Sequence, residues 1–74
     1  MDEILRLKEL REIRKLSQVQ FAEKIGMQQQ QYSRYEKGER ELPLKYIRSI
    51  CRVFNVSSDW LLGLDQVKGG ADNG

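Results

Sequence analysis

Apolar residues recur at helical spacing in five separate stretches of the chain. In the first, Ile4, Leu7 and Leu10 stand every three residues among Arg6, Lys8, Glu9, Glu12 and Arg14, which predicts an amphipathic helix over residues 2–15 with Asp2 near its start. Leu5 and Ile13 fall off this stripe, as scattered exposed apolar residues or as part of a partner surface. Ser17-Gln18-Val19-Gln20 then fits a capping box: the Ser17 hydroxyl satisfies an orphan amide, and the Gln20 side chain reaches back to the amide of Ser17. Leu16 before the cap and Phe21 four positions into the helix are placed to form a hydrophobic staple, and Gly26 supplies the left-handed residue that stops the second helix at Ile25.

Only Gly26, Met27 and Gln28 separate this stop from the next helical pattern, residues 29–37, in which Tyr32 and Tyr35 share a face and Gly38 gives another stop. Met27 and Tyr32 have staple spacing, but Gln28 stands where Ser, Thr, Asp or Asn is favoured, so a weak cap is expected. Glu39-Arg40-Glu41-Leu42 reads as a polar loop. Pro43 is pre-set for the first position of a fourth helix whose apolar face is Leu44, Ile47, Ile50, Cys51 and Phe54, with Asn55 able to end it. Val56, Ser57 and Leu61 repeat the staple and cap, opening a fifth helix of about Ser58 to Leu62 that closes at Gly63. No internal repeat and no strand-like alternation is present. The expected architecture is all-α, five short helices on one core over residues 1–64, with a disordered Gly-rich tail over 65–74.

The 74 residues suffice for one domain, and a chain this short hides only roughly 60% of its unfolded surface, so each helix end matters to stability. The net charge of +2 does not announce a nucleic-acid partner by itself. The tail carries one lysine against two aspartates, which leaves +3 on the rest, so charge has to be argued from placement. With one cysteine and no histidine, an intramolecular disulfide is excluded and a zinc site is left almost without ligands. No apolar run approaches the roughly 20 residues needed to span a bilayer, and residues 1–14 lack a signal peptide's apolar centre; a reducing cytoplasm is the expected setting.

The segment from Gln18 to Lys37 concentrates the signal, because Phe21, Ala22, Ile25, Met27, Tyr32 and Tyr35 fall where two helices crossing at roughly 90–120° must touch. Ala22 is small enough for close approach, and Gly26 is expected to allow a turn that a side chain would obstruct. Four blocks carry a wider likeness: Arg6-Leu7-Lys8-Glu9-Leu10-Arg11, Leu16-Ser17-Gln18 with Phe21-Ala22-Glu23-Lys24-Ile25-Gly26, Tyr32-Ser33-Arg34-Tyr35-Glu36-Lys37-Gly38, and the run from Phe54 to Gly63. Together they resemble the phage repressor and Cro type (Xre-like) helix-turn-helix family from Arg6 to Leu64.

That resemblance implies a compact lambda-repressor-like fold in which helices 2 and 3 form the helix-turn-helix and the third helix enters the major groove of double-stranded DNA. With both tyrosines turned inward, the third helix presents Gln29, Gln30, Ser33, Arg34 and Lys37. Glutamine can pair bidentately with adenine and arginine with guanine, so Gln29, Gln30 and Arg34 are the expected base readers. Gln31 points to the flank. By resemblance Gln18 contacts a phosphate, with Ser33, Lys37, Arg40 and Lys45 as further backbone or flanking contacts. Glu39-Arg40-Glu41 is more acidic than the family's usual loop, which predicts moderate affinity. Arg11 and Glu36 lie at positions that pair in relatives and are expected to form a structural ion pair. A homodimer on a palindromic operator is implied, with Val56, Trp60, Leu61 and Leu64 as dimer candidates.

Other readings exist for several residues. Trp60 fits packing or a dimer contact better than base stacking; Cys51 fits a buried small residue better than a redox sensor; and Tyr32 and Tyr35 fit the core better than single-strand stacking. Tyr46 either touches DNA or shields the loop. The acidic loop and modest charge also suit a protein-interaction module such as an antitoxin. Without histidine, a phosphate loop or a nucleophile beside a base, catalysis is not expected, and no cofactor or metal is implied.

Overall fold

The computed structural model describes residues 6–64. The helix start expected around Asp2, with Ile4 and Leu5, and the tail 65–74 lie outside the described residues. Five helices follow in order: α1 Leu7–Ile13, α2 Gln18–Lys24, α3 Gln29–Glu36, α4 Leu44–Phe54 and α5 Ser58–Leu61. There is no strand among the described residues. α2 packs on α3 and α4 on α5.

One core serves all five helices: Leu7 and Leu10 from α1, Phe21 and Ala22 from α2, Tyr32 from α3, Ile50 and Phe54 from α4, Leu61 from α5, with Ile25, Met27 and Leu42 from the connections. Phe21 is its hub. Its ring stacks on Phe54 at 4.5 Å between centroids and lies tilted against Tyr32 at 4.8 Å, so one side chain joins α2, α3 and α4. Ile13 is 58% exposed, as its place off the stripe suggests.

Four helices open with the same device, a buried or half-buried apolar residue one position before the cap and another four positions into the helix. The pairs are Leu16 and Phe21, Met27 and Tyr32, Leu42 and Ile47, and Val56 and Leu61. Ser17 and Ser57 add side-chain caps, accepting from the amides of Gln20 and Trp60, and Gln20 closes the capping box. Gln28 makes no side-chain cap bond, in keeping with the weak cap expected of it.

The third pair corrects two expectations. Pro43 is the cap residue, extended at φ −62° and ψ 150°, and not the first residue of the helix. This moves the staple onto Leu42, which is 9% exposed and belongs to the core, whereas Leu44, expected on the apolar face, is 62% exposed. Leu42 covers the core at this end of α4 and leaves Leu44 beyond its edge.

The closures are equally uniform. After α1 to α4 the chain takes one residue in the left-handed region, at Lys15 (φ 58°), Gly26 (72°), Gly38 (79°) and Asn55 (56°). In each case the amide of the next residue reaches back to a carbonyl five positions earlier: Leu16 to Arg11, Met27 to Ala22, Glu39 to Arg34 and Val56 to Cys51. This is the Schellman closure, which satisfies carbonyls that a helix end leaves orphaned. A Cβ on Gly26 would meet nothing within 4 Å, so the glycine is required by its backbone angle and not by the crowding expected from the sequence.

Two arginines fasten the periphery. The Arg6 amide donates to the Leu61 carbonyl at 3.0 Å and its guanidinium lies 5.1 Å from the centre of the Trp60 ring, joining α1 to α5. Arg14 donates to the Phe54 carbonyl and lies over the Phe54 ring, joining the ends of α1 and α4.

Lys15 is exposed, and a side chain in the left-handed region costs roughly 1–2 kcal/mol. Lys15→Gly should therefore stabilise the domain by about 1 kcal/mol and raise its thermal midpoint by roughly 4–8 °C. Lys15→Ala, which keeps the Cβ, should give no gain. Equal melting of both variants would refute the backbone explanation.

Candidate nucleic-acid interface

α2, the Gly26 turn and α3 form a paired-helix unit whose inner side is Phe21, Ala22, Ile25, Met27 and Tyr32. Its outer side is polar. Gln28, Gln30, Gln31, Arg34 and Lys37 are exposed, and Gln29 and Ser33 are half-buried. A shallow groove of about 270 Å³ is lined by Gln28, Gln30, Gln31, Arg34, Tyr35 and Arg40, so the α3 surface continues onto the loop that follows it. Gln31, expected at the flank, thus shares a groove with Gln30 and Arg34. Tyr35 and Tyr46 rings meet at 6.4 Å, and the Lys45 ammonium sits 5.1 Å from the Tyr46 ring centre, which makes Tyr46 a half-buried packing residue beside a surface cation.

Behind this surface lies the Glu36 carboxylate. Arg11 donates to it from Nε at 2.7 Å and from Nη2 at 3.3 Å, the Gln18 amide donates at 2.6 Å, and the Tyr32 hydroxyl donates at 2.8 Å. Three helices therefore converge on one anion. Arg11 also donates to the Leu16 carbonyl at 3.0 Å, tying the α1–α2 connection to the same group. From Gln18 the chain of bonds continues outward, because its Oε1 accepts from Nε2 of Gln29 at 2.7 Å.

Burial alone would make the Glu36 carboxyl harder to ionise, but the hydrogen bonds from Arg11, Gln18 and Tyr32 and the charge of Arg11 outweigh it and hold the group below its ordinary value. The same contact holds Arg11 more firmly protonated, against the opposing effect of burial. Burial, reinforced by the bond to Glu36, pushes the Tyr32 phenol well above its ordinary range. Arg11 and Glu36 side chains are only 16% and 7% exposed, so this is a shielded pair and not a surface one.

Among the residues expected at the site, Gln30, Arg34, Lys37, Arg40 and Lys45 are exposed, and Gln18 and Gln29 are engaged in the Glu36 network. The Gln18 to Gln29 bond was not foreseen, because residues 11 apart on two crossing helices meet only through the turn between them. Leu61, a dimer candidate, is fully buried and belongs to the core. Val56 and Trp60 are half-buried and Leu64 is 51% exposed, so these three retain surface for a partner. Half-buried Cys51 has its thiol pushed up by burial, which suits a packing residue. Among the described residues no cluster of side chains could hold a metal ion, and no helix is long and apolar enough to cross a membrane.

A short helix, a tight glycine turn and a second short helix with a polar outer face define a helix-turn-helix protein. The family model described as Helix-turn-helix matches residues 7–61, and the chain belongs to that family, in its Xre-like form. It is 41% identical over 59 residues to the uncharacterized HTH-type transcriptional regulator YobD of Bacillus subtilis, which covers 80% of this chain and 53% of that protein. To the HTH-type transcriptional regulator ImmR of the same organism it is 36% identical over 84% of this chain and 49% of ImmR. Similarity extends to the antitoxin PezA of Streptococcus pneumoniae, 36% identical over 82% of this chain and 39% of PezA. The chain thus spans about half or less of the length of these relatives. No solved structure gives a significant match.

Because the Glu36 carboxyl lies below its ordinary value of 4.5, its contribution to stability is fully present above that pH and is lost as pH falls through the lower, folded value. Thermal melts between pH 7 and 3 should show a shallower acid loss in Glu36→Gln than in the wild type, from a lower starting stability at pH 7; parallel curves would remove Glu36 from the acid response. Arg11→Ala, which strands the carboxylate, should cost about 3 kcal/mol.

Proposed function

We propose that this chain is a cytoplasmic, sequence-specific regulator of transcription that binds double-stranded DNA as a homodimer, laying α3 in the major groove of each half of a roughly palindromic operator. The observation that carries this reading is the outer face of α3. Gln30 and Arg34 project freely from it, Gln29 stands at its N-terminal end, and the one acid of the helix, Glu36, is drawn inward by Arg11, Gln18 and Tyr32. In the helix-turn-helix geometry the N-terminal part of the second helix meets base edges and the first helix abuts the phosphate backbone.

Gln29, Gln30 and Arg34 are assigned to base reading, since a carboxamide matches adenine N6 and N7 and a guanidinium matches guanine O6 and N7. Gln18, Ser33, Lys37, Arg40 and Lys45 are assigned to backbone or flanking contacts, of which those to phosphates fix register without reading sequence. The dimer surface is assigned to Val56, Trp60 and Leu64, on the side of α5. Two-fold symmetry of such a dimer would place half-sites one helical turn apart, and occupancy of an operator would act by excluding polymerase.

The likeness to PezA, named an antitoxin, favours a second reading in which the same domain also holds a protein partner. Salt separates the two, because neutralising Z phosphates makes log affinity fall with log salt at a slope of about −0.9Z, whereas binding a protein partner need not.

Selection from a random duplex pool followed by affinity measurements over a salt series tests the proposal. Gln30→Ala and Arg34→Ala should weaken the selected site more than unrelated DNA, by roughly 1–3 kcal/mol, while Lys37→Ala should weaken both alike and flatten the salt slope by about one. Absence of duplex binding at low salt would end the DNA reading, and equal loss on both DNAs for Arg34→Ala would remove it from the readers.

A further inference from the structure

We propose that the cavity beside the α3–α4 connection is an effector site: it takes a small organic cation, a primary ammonium on an apolar ring or short chain, and its occupancy strengthens DNA binding. The site stands on the geometry of the cavity; its effect on DNA rests on the function proposed above.

The cavity holds about 450 Å³, within the roughly 300–1,000 Å³ of small-molecule sites. Its apolar wall comes from α3, the connection, α4 and the end of α5, as Tyr35, Leu42, Ile47 and Leu62. Leu42 is buried and the other three are half-buried, so this wall is backed by the core. The rest of the lining is the exposed run Glu39-Arg40-Glu41 with Gly38. The connection is held at both ends, by the Glu39 amide on the Arg34 carbonyl at 2.9 Å and by Leu42 in the core, so the cavity is formed before a ligand arrives.

Two carboxylates against one guanidinium leave Glu39-Arg40-Glu41 with a net charge of −1. Among the described residues none of the three makes an ion pair or a side-chain hydrogen bond. Unpaired carboxylates beside an apolar wall complement a molecule with a positive end and an apolar body. A bare metal ion would leave the wall unused, and no group of three or more metal-binding side chains lies among the described residues. An anion would meet both carboxylates.

Tyr35 and Arg40 line this cavity and also the 270 Å³ groove that they share with Gln30 and Arg34 on the face of α3. A cation held by Glu39 and Glu41 therefore acts on that groove in two ways. It offsets negative charge that would repel phosphates, and it competes with Arg40 for the carboxylates, leaving the guanidinium to the groove. Both effects favour DNA, and linkage requires bound DNA to favour the cation by the same factor.

Amide NMR shifts of the chain titrated with benzylammonium chloride, compared with sodium chloride at equal ionic strength and with benzyl alcohol, read the site without DNA. Saturable shifts should centre on Glu39 to Leu42 and on Leu62, and the alcohol should bind at least about threefold more weakly. The double variant Glu39→Gln with Glu41→Gln should erase that difference, and Leu62→Trp, which fills the cavity, should remove saturable binding of both probes. If Leu62→Trp does not fold, the double variant, changed only at exposed positions, carries the test. On a selected DNA site, saturating benzylammonium should raise wild-type affinity about fivefold and leave that of the double variant unchanged. Absence of saturable shifts, or an alcohol that binds the wild type as well as the ammonium, overturns the site. Shifts of the same amides with protein concentration alone would give the cavity to a second copy of the chain and overturn it equally. Unchanged or weakened DNA affinity at saturation overturns the effector role. Failure of the wild type to bind duplex DNA removes the reading of function and the effector role with it, while the titration still decides the site.

Discussion

A carboxylate screened from water must be satisfied by donors, and at Glu36 those donors come from α1, α2 and α3 at once. Removing a charge from solvent is costly unless its lone pairs are filled, so the three helices are constrained to the mutual arrangement in which Arg11, Gln18 and Tyr32 all reach the same two oxygens. The apolar core alone would be more permissive. Phe21 against Phe54 and Tyr32 is held by shape and area, which tolerate small displacements, whereas hydrogen bonds weaken steeply with misalignment. The polar network thus refines what the aromatic cluster assembles. It also lies directly behind the polar face of α3, so the group that orders the fold and the candidate binding surface are a single side chain apart.

Helices of 7, 7, 8, 11 and 4 residues are too short to persist in isolation. What makes them definite is the treatment of their ends. An apolar pair straddles the cap of α2, α3, α4 and α5, and a left-handed residue closes α1 to α4. Both devices place side chains in the core while satisfying the backbone, so in this chain termination and packing are the same event. Nearly half of the buried apolar set, namely Met27, Leu42, Phe21, Tyr32 and Leu61, belongs to staples and not to the middle of a helical stripe. That is an economical solution for a domain in which little of the surface can be hidden.

This explains which parts of the fold were legible in the sequence. Caps that rely on serine and stops that rely on glycine have few alternative readings, so the boundaries at Ser17, Gly26, Gly38 and Ser57 could be placed from residue type. Lys15 carries no such mark, because a lysine in the left-handed region is there only by tertiary demand. Pro43 was misplaced by one position because proline suits both the cap and the first helical residue, and that single step exchanged the roles of Leu42 and Leu44. At the candidate site, the period of α3 set the tyrosines apart from the polar outer face, and the expectation of groove recognition came from the family resemblance. The coupling of Gln18 to Gln29 and Glu36 was hidden, since it depends on how α2 and α3 cross and on the polarity of amides, neither of which periodicity encodes.

The same network resolves the weak overall charge. A net +2 on 74 residues is a poor advertisement for a polyanion, but a duplex meets only the face presented to it. Along α3 and its cap the ionic side chains are Arg34, Glu36 and Lys37, and Glu36 is neutralised from behind by Arg11, a cation on another helix. The face is left with Arg34 and Lys37 and, across the groove, with Arg40. Arg11 thus contributes to the surface potential without standing on the surface, by neutralising the negative charge that would otherwise lie on the polar face of α3. A loop bearing Glu39 and Glu41 beside Arg40 limits how far this goes, and under the proposed function it shifts the balance of recognition from non-specific attraction towards the polar edges of Gln29, Gln30 and Arg34.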